Sequence, residues 1–150
     1  MKISLLQKRN EIEVSATHLS FPVLCFDRDF VRVRDSEAGL TTTTAAGLKN
    51  GMFDDLLLID SRGDGYRVHG ASKLHSVGPF WGYNIFLNQK LRVRLNFTEG
   101  PIKFSLEDVK GLIERSFKRW SGWPSRGDFK VLRKRVSAAT SFRELAELLM

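Results

Sequence analysis

The hydrophobic period of this chain changes once, and the change falls at Gly100-Pro101. Just before it, Leu91, Val93, Leu95 and Phe97 alternate with Arg92, Arg94 and Asn96, the period-two pattern of a strand with one apolar face. Just after it, Leu106, Val109, Leu112, Ile113, Phe117 and Trp120 recur at helical spacing and form one apolar stripe. Strands first and helices last is the order of an α+β protein, not of a doubly wound parallel sheet. The expected fold is therefore a mostly antiparallel sheet over residues 1–100 packed against C-terminal helices over residues 105–150. Both belong to a single domain, 1–150, because so wide an apolar stripe needs the sheet to cover it.

Within the sheet half, Ile3–Leu6, Ile12–Val14 and Phe30–Arg34 read as short strands, and Tyr83–Leu87 with Leu91–Phe97 as a strand pair or one long, bent strand. Phe21–Phe26 is apolar on both faces, as in a buried strand, and Pro22 places its start there or its position at a sheet edge. Thr41–Thr44 suits an extended edge or loop, since β-branching restricts χ1. Ala45–Lys49 reads as a helical turn stopped by Asn50-Gly51. Leu56–Asp60 and Tyr66–His69 flank a turn with two glycines and an aspartate, a hairpin signal. In the helical half, Ser105 caps a first helix that stops near Ser121-Gly122. Asp128 caps a second through Phe129, Leu132 and Val136, and Ser141 opens a last one with Glu144 in a capping box.

At 150 residues with eleven Phe and three Trp, the chain can hold a core without a disulfide or metal. Its one cysteine, Cys25, allows no internal disulfide, and the first residues lack a secretory pattern. No apolar run approaches the ~20 residues of a membrane span. The expected location is the cytoplasm, with no membrane partner.

The net charge of +7 is unevenly placed: Lys110–Arg135 holds nine basic residues and two acids, Glu114 and Asp128. Such a field draws polyanions or an acidic partner, although a charge run is more often simply a solvated helix surface. The basic face expected from the helical spacing comprises Lys110, Arg115, Lys118, Arg119, Lys130, Arg133 and Lys134.

The remaining chemical motifs dissolve on inspection. Asp60–Gly65 has acids and a glycine at calcium-loop positions, but Arg62 stands where an oxygen ligand belongs and Ala71 where a bidentate glutamate belongs. His69, His75 and His18 lack the spacing of a zinc set, and Cys25 sits in an apolar strand, where a thiol is inert. Arg-Gly-Asp, present at Arg62–Asp64 and Arg126–Asp128, is read as turn and helix-start chemistry. No catalytic residue, metal or cofactor is expected. The most unusual segment is Gly78–Asn84, where Phe80, Trp81 and Tyr83 lie among two glycines and a proline; it is either a core plug or a partner surface.

With no convergent catalytic set, the expected function is a non-enzymatic macromolecule-binding module. Its partner is a protein, with an acidic one favoured by charge, and its role is accessory or immunity-like. The first alternative is nucleic-acid binding through the basic C-terminal helical face, although no zinc-finger, RNP or KH signature is present. A small-molecule-binding protein or an enzyme without a legible motif is the remaining alternative.

Overall fold

A computed structural model describes residues 18–28, 30–77, 90–119 and 126–150. The expected strands Ile3–Leu6, Ile12–Val14 and Tyr83–Leu87 lie outside the described residues. Among the described residues, six strands and five helices follow in the order β1 (Val23–Asp27), β2 (Phe30–Arg34), α1 (Glu37–Thr41), β3 (Thr42–Thr44), α2 (Ala45–Lys49), β4 (Leu56–Ile59), β5 (Asp64–Ser76), β6 (Lys90–Lys103), α3 (Leu106–Arg119), α4 (Arg126–Ala138) and α5 (Phe142–Leu149). The strands form one sheet in the order β2-β1-β4-β5-β6-β3, every neighbouring pair antiparallel. This is the α+β architecture that the change of period implies.

Strands β1 and β4 carry apolar residues on both faces because both faces are covered. Leu24, Phe26, Leu57 and Ile59 meet the helical layer of α3, α4 and α5 through Val109, Ile113, Phe117, Val136 and Leu145. Val23, Cys25, Leu56 and Leu58 point the other way, toward Tyr66, Val68, Leu91, Val93, Leu95 and Phe97. That second core is closed by Leu40 of α1 and by Phe53. Helix α1 touches both β2 and β6, so the sheet curls until its two sides are bridged by one short helix. Pro22 marks the start of β1, not an edge: β1 lies between β2 and β4.

The β4–β5 hairpin is built on Asp60, whose side chain is fully buried. Its carboxylate accepts the N–H groups of Ser20 (3.1 Å), Arg62 (2.9 Å) and Asp64 (3.1 Å). It also accepts the Arg62 guanidinium at 3.0 Å, so that cation stands beside the buried acid. The Asp60 bond and charge raise the Arg62 pKa above its usual value. Gly63 takes φ +84, and a Cβ there would lie 2.6 Å from the Phe142 ring, so only glycine fits.

Strand β6 departs from expectation. It continues through Gly100-Pro101 to Lys103, with Ile102 opposite Gly65 and Lys103 opposite Asp64. Proline is tolerated because, among the described residues, the outer side of β6 pairs only at Lys90–Arg92, with β3. The helical layer begins at Leu106, five residues past Pro101.

Serine caps hold two of the three long helices. Ser105 Oγ accepts the Asp108 N–H at 3.1 Å, while the Asp108 carboxylate accepts the Ser105 N–H at 3.1 Å. These bonds hold the Asp108 carboxyl below its usual pKa. Ser141 Oγ accepts the Glu144 N–H at 3.1 Å, and Glu144 reaches back to the Thr140 N–H at 2.9 Å. Helix α4 starts at Arg126, so Asp128 lies inside it and not at its cap. On α3, Val109, Ile113 and Phe117 are buried whereas Leu112 is half-buried, and Trp120 lies outside the described residues.

Candidate functional site

Strand β2 lies at one end of the sheet and, among the described residues, pairs only with β1. In an antiparallel pair the alternate N–H and C=O groups point away from the neighbour, so β2 presents a row of hydrogen-bonding groups outward. Its sequence explains the position. Val31 and Val33 turn toward the helical layer, and Arg32 and Arg34 turn to the opposite face, beside Cys25 and Val23 of β1. A strand with two guanidiniums on one face suits an edge, where they can reach solvent.

The edge forms the floor of an open groove of about 400 Å³. Asp35 and Gly39, at and just before α1, stand on one side; Leu149 and Met150, at the end of α5, stand on the other. Val31, Val33 and Leu149 are half-buried, and Met150 is 72% exposed. Neither Arg32 nor Arg34 has a carboxylate within salt-bridge distance among the described residues. Among the described residues, the groove therefore joins a backbone edge without a further strand, an apolar strip and two cations outside any salt bridge.

A smaller, partly open pocket of about 30 Å³ shares Arg32 and Arg34 with the groove and is lined also by Cys25, Asp27, Thr42 and Met52 among others. That is room for about one water, far below the roughly 300–1,000 Å³ of metabolite sites. Burial pushes the Cys25 thiol up to about 12 despite the opposing pull of Arg34 and Arg32. Cys25 is thus a protonated core residue at neutral pH, as its apolar setting implies.

The residues singled out in the sequence fare unequally. Phe80, Trp81 and Tyr83 lie outside the described residues. Helices α3 and α4 run antiparallel, and two of the seven basic-face residues tie them together. The side chain of Lys110 is only 14% exposed and bonds the Ser137 carbonyl at 2.9 Å and Glu107 at 3.4 Å. Arg133 bonds Glu114 and lies 5.6 Å over the Phe129 ring, which itself meets Phe117 edge-on at 5.2 Å. Lys110 is therefore not the solvated member of a basic face that its spacing implied. Arg115, Lys118, Arg119, Lys130 and Lys134 are exposed.

His69 and His75 are exposed on β5, and among the described residues no group of three His, Cys, Asp or Glu could hold a metal ion. No described helix is long and apolar enough to cross a membrane. The sequence reading missed the β2 groove. Its only local signal is the alternation in Phe30–Arg34, which marks a strand wet on one side but not a strand at an edge. Comparison with known protein families, with curated proteins and with solved structures finds no match.

Proposed function

We propose that this chain is a non-enzymatic protein-binding module that accepts an extended segment of another protein along the open edge of β2. The observation that carries this reading is the edge itself: outward backbone groups flanked by the apolar end of α5 and by the start of α1. An added strand satisfies those groups with main-chain hydrogen bonds, and side chains at alternate positions supply selectivity. The role is accessory or immunity-like, masking or escorting a partner, and a cytoplasmic location belongs to the same proposal. The test is hydrogen exchange on the full chain with segments selected from a displayed library of extended peptides. Binding segments should protect the alternate β2 amides; protection confined to other elements would overturn the reading.

A second reading is favoured by the α3–α4 pair, where Arg115, Lys118, Lys130 and Lys134 remain exposed after Lys110 and Arg133 are engaged. There, a nucleic-acid backbone would be the ligand. Reversing Lys118 and Lys134 together should then weaken binding at every sequence and flatten its salt dependence. Unchanged affinity would remove this reading.

A further inference from the structure

Resting on the β2-edge reading, we infer that the segment accepted there carries two acidic side chains at alternate positions, with apolar side chains between and beside them. The inference comes from the two faces of one strand. A strand added to β2 places its side chains on the same two faces as the β2 residues they oppose. Residues opposite Arg32 and Arg34 share the face on which those guanidiniums stand. Residues opposite Val31 and Val33 share the face lined by Leu149 and Met150.

The first face selects for acid. Arg32 and Arg34 are two residues apart, which puts their Cα atoms about 7 Å apart along the strand. Neither has a carboxylate partner among the described residues. Their near neighbours on β1 are Cys25 and Val23, opposite them in register, and neither is charged at neutral pH. Asp27 lines the pocket with both arginines but forms a salt bridge with neither among the described residues, and two guanidiniums beside one carboxylate leave a positive potential that a carboxylate pair, spaced as on a strand, would neutralise. Guanidinium offers a planar pair of N–H donors that suits a carboxylate better than an ammonium does.

The ends of β2 also limit the acid to two positions. Past Arg34 the groove is lined by Asp35, a like charge for an acid placed beyond that end of the strand. At the other end Asp27 pairs in register with Phe30 and lines the pocket beside Arg32. A polyacidic run therefore gains nothing beyond the two central positions, unlike simple attraction to a chain of net charge +7.

The second face selects for apolar side chains. Val31 and Val33 are half-buried under the helical layer, and Leu149 and exposed Met150 extend the strip outward. Valine-sized side chains laid over it would cover apolar surface now in water. Acid on one face and apolar on the other is a period-two pattern, which only an extended segment can present.

The test compares two end-capped seven-residue peptides of identical composition, each with three valines and two glutamates between terminal threonines. In one the glutamates alternate with valine; in the other they are adjacent, so that only one can face the arginines in any register. On the full wild-type chain the alternating peptide should bind tighter by about tenfold or more and protect the β2 amides. The double variant R32E/R34E should reverse the preference toward a peptide in which lysine replaces glutamate, with R32Q/R34Q binding neither charged form well. Equal affinity of the two isomers, with β2 still protected, would overturn the acid pattern and leave the edge reading standing. Equal competition by a short single-stranded oligonucleotide of matching charge would likewise overturn it. If the outward-pointing β2 amides are already protected in the free monomer, or become so in a dimer of this chain, the edge has another occupant and both readings fall.

Discussion

Replacing Ile113 by alanine tests the rotational setting of α3 and with it the helical core. Ile113 is 0% exposed and lies in the layer formed by Leu24, Phe26, Leu57 and Ile59 with Val109, Phe117 and Leu145. Three carbons leave the core, about 2.4 kcal/mol of transfer free energy at ~0.8 kcal/mol each. The enclosed site cannot collapse fully, and the residual cavity brings the total to about 3–4 kcal/mol. Leu112, one residue earlier and about 100° around the helix, is only half-buried. Leu112→Ala should cost about 1–1.5 kcal/mol, because its atoms lose part of a contact and leave no closed cavity. Urea unfolding followed by far-UV circular dichroism measures both. The midpoint should fall in each variant with an unchanged slope, and the Ile113 shift should be more than twice the Leu112 shift. Equal shifts, or a larger one for Leu112, would show that α3 presents a different face to the sheet and would refute the assignment of the core.

Two further outcomes follow from the buried polar groups. Folding raises the Cys25 pKa from about 9 to about 12, so the folded state disfavours the thiolate. Stability is unaffected below pH 9 and falls as pH rises from 9 toward 12, by about 1.4 kcal/mol at pH 10 from this group alone. Cys25→Ala should remove that share of the alkaline decline, which urea midpoints at pH 8 and pH 10 would detect; parallel declines in the two proteins would contradict it. Asp60→Asn leaves an amide where a buried carboxylate accepts three backbone N–H groups and a guanidinium. The loss should be about 3 kcal/mol, or roughly 6–12 °C in melting temperature, and a melting point within 2 °C of the parent would refute the hub.

Much of the fold was legible because it is written locally. The two-sided apolar run at Phe21–Phe26, the alternation from Leu91 to Phe97 and the turn around Gly63 each resolve within a few residues, and each became the expected element. The serine caps at Ser105 and Ser141 were equally plain, since a cap is a contact between residues three apart. Where local signals conflict with distant partners they fail. Gly100-Pro101 reads as a break, yet β6 runs past it because Gly65 and Asp64, more than thirty residues earlier, pair with Ile102 and Lys103.

The candidate site belongs to what only the tertiary structure decided. Phe30–Arg34 announces a strand with arginines on one face, but an edge is a property of the whole sheet order. Met150 and Gly39 reach opposite sides of that edge from elements far apart in sequence. The basic tract shows the same division: its charges are evident from spacing alone. Which of them are engaged depends on α3 and α4 lying antiparallel, so that Lys110 meets Ser137 and Arg133 meets Glu114. Periodicity determines which way a side chain leaves its own element; only packing between elements determines whether anything is there to meet it.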